Sequence, residues 1–526
     1  MAHTPFFQNL RRLASVARAS AVTGLDVEQI CEKRSTAAIS RRQFLGTAAA
    51  AATVAATPFL RAAKPAGSNA RVVVVGAGLA GLTCAYRLKQ AGLDATVYEA
   101  NSRVGGRCWT RRADFLEGQI AEHGGELIDQ GHGSIRHLAQ ELRLPLDNLL
   151  AAEPNGSTPF FYFDRAPYTF RDATNDLKAI WQKLHRDLSE AGYPTLYNRS
   201  TPRGRQLDQM SISDWINESV PGGMNSRFGQ LLDIAYNIEY GAESGTQSAL
   251  SLIYLLAYNS PGQFNLFGTS NEKYHVRGGN DRIVSTLVSV LSNQIMTGES
   301  LVAARRTAGG AYTLTFQNTQ GMHDVAADKV VFALPFSILR NVVDISGAGF
   351  SPLKFTAIDE LPMGANAKLN LQFTRRHWVT FGGNGDSFAD TGYQASWEVT
   401  RAQPGAAGIL VGYSGGNHAE TFRTGAPATQ AAAFLAQIEP VFPGLGGYFN
   451  QRATVDYWGQ STPFTRGSYA YRKKGQYTEF AGIEGAQEGN AHFCGEHTSI
   501  DSQGYLNGAV ETGERVASEI TADLWV

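Results

Sequence analysis

Arg71-Val72-Val73-Val74-Val75 runs without a break into Gly76-Ala77-Gly78-Leu79-Ala80-Gly81, and this stretch decides the fold. Four consecutive valines form an apolar, β-branched run that reads as a parallel strand buried on both faces. A helix follows, marked by Leu82, Ala85, Leu88 and Ala91 at helical spacing and by Gly92 where it should stop. In the G-x-G-x-x-G turn between them the glycines differ in role. Gly76 permits the tight turn, Gly78 lets the backbone approach a pyrophosphate, and Gly81 lets helix and strand pack closely. The helix N-terminus then offers its unpaired N–H groups to the phosphates. A second strand, Thr96-Val97-Tyr98, ends in Glu99, about 20 residues past the glycines, where an acid hydrogen-bonds a ribose hydroxyl. Strand, turn, helix, strand and acid in register describe a cradle for a dinucleotide.

The chain continues Ala100-Asn101-Ser102-Arg103-Val104-Gly105-Gly106-Arg107. With this segment it resembles the flavin-containing amine oxidases, a family of monoamine, polyamine and L-amino acid oxidases. The resemblance implies FAD rather than NAD, with Ala100, Arg103, Gly105, Gly106 and Arg107 along the cofactor beside Gly76, Gly78, Ala80, Gly81 and Glu99. Forked arginine donors suit a dianionic pyrophosphate. The resemblance extends to Phe493-Cys494-Gly495-Glu496-His497-Thr498-Ser499 and Gln503-Gly504-Tyr505-Leu506-Asn507-Gly508 near the end of the chain. It implies FAD contacts from Gly495, Glu496, Gly504, Tyr505 and Leu506, and a helix from about Gly508 that points its N-terminus at the flavin. Ala121-Glu122-His123-Gly124-Gly125-Glu126-Leu127-Ile128 resembles a flavin-proximal strand and turn, which adds Gly125 and Glu126. Val302 is expected to meet the adenine through its backbone.

The implied fold is α/β: a Rossmann-like FAD-binding domain, of the glutathione-reductase type, interleaved with an α+β substrate domain. Residues 67–150, 268–338 and 481–526 are expected to build the FAD domain, and residues 151–267, largely helical, and 339–480 the substrate domain. Helices are expected at Asp172 to Ala191 and Ser211 to Ile216, and a core strand at Lys329 to Pro335. A length of 526 residues accommodates two domains and a core able to enclose a dinucleotide.

Net charge is −1, but residues 1–66 hold 9 Lys/Arg against 3 Asp/Glu, leaving 37 basic and 44 acidic residues elsewhere, a net of −7. That balance gives no electrostatic footprint for nucleic acid. Within the leader, Ser40-Arg41-Arg42-Gln43-Phe44-Leu45 precedes an alanine-rich stretch from Gly46 to Leu60 and resembles a twin-arginine export signal. The apolar stretch is too short for a membrane span. Residues 1–66 are therefore expected to be a signal region cleaved around Ala63 to Ala66, and the mature protein periplasmic or secreted. Four cysteines make no disulfide framework, and none has zinc spacing, so no metal is expected.

The chemistry is expected in the second substrate segment. Met363-Gly364-Ala365-Asn366-Ala367-Lys368-Leu369-Asn370-Leu371 resembles the strand on which the family carries a lysine that holds a water beside flavin N5, which makes Lys368 that residue in an electrostatic role. Tyr457-Trp458-Gly459 through Arg466-Gly467-Ser468-Tyr469 resembles the stretch beside the isoalloxazine, with Trp458 along the ring. Monoamine oxidases bond FAD covalently through a cysteine just before the matching tyrosine. Ser468 stands there, which implies noncovalent FAD. Tyr469 and Tyr505 correspond to two aromatic residues that face each other before the flavin and admit a neutral amine between them. Trp397 is expected to wall the pocket. His123 and His275 are within the range of bases but are assigned no role.

These parts imply hydride loss from an amine α carbon to flavin N5, an imine that hydrolyses to a carbonyl compound and ammonia, and reoxidation by O2 to hydrogen peroxide. Arg112, five residues after Arg107, stands where L-amino acid oxidases carry a carboxylate-binding arginine, although monoamine oxidases also show one and a structural ion pair explains it equally. Three readings stay open: an L-amino acid oxidase, which Arg112 and noncovalent flavin favour; an amine or polyamine oxidase with carboxylates in place of the arginine; and a flavoprotein without catalysis. A tryptophan-type monooxygenase is a minor variant. The expected partners are a small amine or amino acid and O2, with a homodimer suggested by relatives.

Overall fold

The valine run does lie at the centre of a sheet. The computed structural model of the chain describes residues 70–257 and 271–525. Val72–Val75 is flanked by Lys329–Phe332 on one side and Ala95–Glu99 on the other, all parallel, with Ala491–Phe493 and Ile295–Thr297 at the edges. All four valines are buried, because helices cover one face of the sheet and a second, antiparallel sheet lies against the other. The helix Leu79–Gln90 follows the glycine turn and packs against the terminal helix Leu506–Leu524, so the two ends of the chain share one core. Gly81 is required there, since a Cβ would stand 2.0 Å from the carbonyl oxygen of Gly76. The antiparallel sheet, Ser300–Arg306, Tyr312–Asn318 and Gly321–Ala327, hangs beside this core.

The other large body is a mixed seven-stranded sheet in the order Phe449–Trp458, Asn366–Phe373, Gly408–Gly415, Ala395–Glu398, Gly383–Ala389, Thr158–Phe163, Ala166–Tyr168. Helices Phe170–Ala191, Ile212–Ser219, Arg227–Tyr240 and Ala249–Leu256 pack on it through one apolar cluster. The first of these starts two residues before the expected Asp172 because Thr169 caps it, its side chain accepting from the Asp172 N–H. The second is held by a reciprocal Ser211–Asp214 capping box. The largely helical reading of residues 151–267 missed two strands, Thr158–Phe163 and Ala166–Tyr168. The expected export signal, Ser40 to Leu60, lies outside the described residues. No helix among the described residues is long and apolar enough to cross a membrane.

Strand Asn366–Phe373 positions the chemistry. Its eight residues are all buried, yet it alternates Asn366, Lys368, Asn370, Gln372 on one face with Ala367, Leu369, Leu371, Phe373 on the other. The apolar set joins Trp378, Leu410 and Phe434 in a core. The polar set looks toward the dinucleotide-binding body, where Lys368 meets residues 122–126. A strand buried on both faces with one polar face belongs between a core and a site.

Candidate functional site

A cavity of about 710 Å³ opens above the carboxyl ends of the parallel strands, the usual ligand position in such sheets. Gly76, Gly78, Ala80, Glu99, Ala100, Arg103, Gly105, Gly106, Arg107, Trp458, Gly495, Glu496, Gly504, Tyr505 and Leu506, all expected at the cofactor, line it. Its shape fits the phosphate end of a dinucleotide. A Cβ on Gly78 would meet no atom of the described residues within 4 Å, so that glycine leaves open space in front of the helix N-terminus. The Glu99 carboxylate accepts from the Ala77 N–H (2.8 Å) and the Asn101 N–H (2.9 Å), which fixes it at the mouth of the first strand. Burial pushes this carboxyl up, against the pull of those two N–H groups. FAD is the cofactor; the backbone of the glycine turn, the Glu99 carboxylate and the wall from Gly495 to Leu506 are the parts of the cavity that would hold it. Ser468 is fully buried and has no sulfur for a thioether bond to the flavin, in keeping with noncovalent binding.

The two arginines of the second motif are not free forks. Arg103 donates to the carbonyls of Val104 (3.0 Å) and Gly106 (2.8 Å), bracing its own loop. Arg107 donates through Nη1 to Ser468 O (2.8 Å) and Glu496 Oε1 (2.7 Å), joining the first and last FAD segments. Burial alone would raise the Glu496 carboxyl, but Arg107 and backbone N–H groups, including that of Gly504, hold it below the ordinary range. The pyrophosphate reading for these arginines becomes one of shaping the cavity wall. Of the run Ser300-Leu301-Val302 expected at the adenine, Ser300 and Leu301 line the cavity and Val302 does not, the sheet register skipping between Leu301 and Ala303.

Gly125 and Glu126 do not line this cavity; they stand beside Lys368. Lys368 Nζ donates to Glu126 Oε2 (2.6 Å), Glu122 O (3.1 Å) and Gly124 O (3.1 Å), so all three of its protons have protein acceptors. Side chains of the pair are 3% and 5% exposed, far from the solvated strand-end lysine that alternation alone would allow. For Lys368 to hold a water beside the flavin, one of these bonds must open. Glu126 Oε1 accepts from Trp397 Nε1 (3.1 Å), and the Trp397 ring packs edge-on to Tyr413 at 4.9 Å. Tyr413 shares a hydroxyl contact with Tyr469 (3.2 Å), whose own O–H donates to Ile238 O (2.8 Å). Tyr469 clusters with Trp458, and Trp458 Nε1 donates to His123 O (2.8 Å). Lys368, Glu126, Trp397, Tyr469 and Trp458 thus form one connected group. Sheet register brings it together, since Lys368 stands opposite Tyr413 on one neighbour and Asp456 on the other.

Tyr505 lines the FAD cavity. It precedes the helix Leu506–Leu524, which begins two residues earlier than Gly508, and its ring packs edge-on to His132 at 4.6 Å. Burial raises Tyr469 well above a normal phenol, and Tyr413 adds to the shift, so it stays protonated. Tyr413 escaped the sequence reading, although the alternation of Gly408–Gly415 would have offered it once the register was known.

Arg112 forms the structural ion pair that the sequence left open beside the carboxylate clamp. Its guanidinium forks onto both Asp281 oxygens, Nη1 at 2.9 Å from Oδ2, and donates to Gly278 O (2.8 Å). Its side chain is 44% exposed, it does not line the cavity, and it ties a loop to the helix Asp281–Leu291. Neither histidine is poised as a base. His275 Nε2 pairs with Glu122 (2.8 Å) and His123 Nδ1 with Asp456 (2.5 Å), a carboxylate that Arg111 also grips at 2.9 and 2.8 Å. Free cysteines Cys84, Cys108 and Cys494 are all buried.

Residues 79–521 match the family model for flavin containing amine oxidoreductase. Among curated proteins, the chain is 26% identical over 472 residues to the "Putative L-amino-acid oxidase YobN" of Bacillus subtilis, covering 85% of this chain and 94% of that one. It is 23% identical over 484 residues to the L-amino acid dehydrogenase of Synechocystis, covering 86% and 95%. Among solved structures, cyclohexylamine oxidase from Brevibacterium oxydans superposes with a TM-score of 0.75 at 19% identity, covering 87% of this chain and all of that one. These likenesses span both sheets and both ends of the cavity. The chain belongs to the flavin-containing amine oxidoreductase family.

Proposed function

We propose that this protein oxidatively deaminates an L-amino acid, giving a 2-oxo acid and ammonia, with O2 as electron acceptor and hydrogen peroxide as the reduced product. The observation that carries the reading is the buried Lys368–Glu126–Trp397 group, since a protein that only stored the cofactor would gain nothing from an ion pair removed from water. Bound FAD supplies the two-electron acceptor. The residues of the chain do the rest. Trp458, Tyr469 and Tyr505 exclude bulk water and orient the neutral amine with its α C–H toward the cofactor. Lys368 supplies a fixed positive charge where negative charge develops as electrons move to the acceptor. Whole-chain likeness to proteins named for L-amino acids favours that substrate.

A second reading, oxidation of a simple amine, is favoured by the commitment of Arg112 to Asp281, which leaves the expected carboxylate fork without its arginine. Product analysis separates the two. Purified FAD-loaded protein is incubated with L-amino acids and with the matching decarboxylated amines, and 2-oxo acid, aldehyde, ammonia and peroxide are quantified. A 2-oxo acid in step with ammonia supports the first reading, and aldehyde from the amines alone replaces it with the second. Export through the twin-arginine segment is part of the proposal. Replacing Arg41 and Arg42 by lysine should leave the protein in the cytoplasm of the producing cell.

A further inference from the structure

With Arg103 and Arg107 committed to the cavity wall, the pyrophosphate of the cofactor still needs a cation. Three guanidiniums line the FAD cavity, those of Arg103, Arg107 and Arg466. Arg107 is matched by Glu496 at 2.7 Å. Arg103 is turned onto the carbonyls of its own loop and onto the face of Trp109, 4.3 Å from the ring centroid. Arg466 is half-buried, and among the described residues its guanidinium makes no hydrogen bond or ion pair. A helix N-terminus offers the phosphates about half an elementary charge, whereas a pyrophosphate carries two negative charges. An arginine on the wall with its fork unclaimed can supply the difference.

The segment that carries Arg466 is built to hold it there. Phe464 (φ 63°) and Arg466 (φ 47°) both lie in the left-handed region, and of the non-glycine residues with that geometry in the described chain they are the two that line the cavity. Such backbone is strained, persists only where its surroundings fix it, and gathers at ligand clamps. Here the surroundings are explicit. Ser337 Oγ donates to Thr465 O (2.6 Å), and the Thr462 hydroxyl donates to Tyr457 O (3.1 Å) while accepting from the Gly459 N–H (3.0 Å). On the far side the Ser468 N–H donates to Gly364 O (2.8 Å). Both flanks lead to the phosphate-binding turn. Ser337 belongs to the helix Phe336–Val342, which follows the strand end whose Ala333 O would stand 2.7 Å from a Cβ on Gly76. Ser468 O accepts from Arg107, and the loop of Arg107 pairs with the turn through Gly105 and Gly78.

We propose that Arg466 is the phosphate cation of the cofactor site: its guanidinium forks onto the pyrophosphate of FAD, and the strained strap of residues 462–466 holds that fork on the cavity wall before the cofactor arrives. Pre-organisation of this kind cuts the ordering cost of binding. The assignment rests on the FAD cavity and is independent of which amine is oxidised. It also divides the labour of the arginines, since Arg107 joins the first and last FAD segments through Glu496 while Arg466 meets the charge of the ligand.

Release of FAD from the loaded protein, followed by the rise of flavin fluorescence on dilution, tests this in wild type, Arg466→Lys and Arg466→Met at low and high salt. Loss of a charge-assisted fork should weaken FAD retention by about ten- to hundredfold in Arg466→Met, with Arg466→Lys in between because a point charge survives without the fork. Added salt should speed release from wild type more than from Arg466→Met. The midpoint potential of the bound flavin gives a second reading. Phosphates keep their charge when the ring is reduced, so the potential should be the same in all three proteins. If Arg466→Met does not fold, Arg466→Gly takes its place, since glycine adopts a φ of 47° without strain. Unchanged retention in a folded variant would overturn the proposal. So would retention lost equally in Arg466→Lys and at every salt concentration, which marks a purely structural strap, or a fall in potential, which sets the guanidinium against the flavin ring.

Discussion

Replacing Lys368 by methionine should reveal how much of the site rests on its pairing with Glu126. The substitution preserves length and apolar stem but removes three donors at once: an ionic bond of 2.6 Å and two carbonyl bonds of 3.1 Å each. Glu126, 5% exposed in its side chain, then keeps only the Trp397 N–H at 3.1 Å. Breaking a buried pair by removing one partner costs about 3–5 kcal/mol, chiefly because the remaining charge is stranded. The double variant Lys368→Met/Glu126→Gln removes that stranded charge and should recover about 2–3 kcal/mol of the loss, a coupling that only directly interacting groups show. Urea unfolding of the FAD-loaded proteins, followed by flavin and tryptophan fluorescence, reads the coupling. Additive losses within about 0.5 kcal/mol would refute the idea that this pair is a buried electrostatic unit.

The remaining expectations concern neighbouring parts of the site. Gly78→Ala adds a methyl that meets no described protein atom within 4 Å, so the chain should fold normally but lose FAD affinity by tenfold or more; Gly81→Ala places its Cβ 2.0 Å from Gly76 O and should fail to fold, as circular dichroism and flavin retention would show. Arg112→Ala removes a half-exposed ion pair and should cost no more than about 1 kcal/mol in melting experiments, with KM for amino acids and amines unchanged, whereas a large rise in KM for amino acids alone would reinstate the carboxylate clamp. His497 is held down to about 4 by burial first, with Arg107 opposing the charge and Glu496 favouring it, and both its ring nitrogens lack hydrogen-bond partners among the described residues. A folded-state pKa below the ordinary 6.5 means the unfolded chain binds the extra proton, so stability of the FAD-stripped protein should fall by up to about 3 kcal/mol as pH drops from 6.5 toward 4. His497→Asn should flatten that slope.

What the sequence disclosed and what it hid divide along chain distance. Gly76, Gly78, Gly105 and Gly106 are legible because a phosphate cradle is built from contiguous backbone, and Gly495 through Leu506 because a strand passes directly into a turn and helix. Residues whose role depends on a distant partner were not legible in the same way. Glu126 was placed at the cofactor because its neighbours in sequence are, and its partner Lys368 lies 242 residues away. Arg112 read equally as a clamp or as half of a structural ion pair, and its partner Asp281 lies 169 residues on. Register is the common gap: it set Tyr413 beside Lys368, and no local pattern encodes it.

The central claim is that this chain takes electrons from an amino-bearing carbon into its bound FAD. Its most direct test is anaerobic mixing of the FAD-loaded protein with L-amino acids, L-lysine and L-norleucine among them, while the flavin absorbance is followed. Bleaching by at least one of them at a rate that saturates with substrate, followed by recovery of the yellow colour on admitting air, is the expected result. A flavin that stays oxidised with every amino acid and every matching amine would contradict the account.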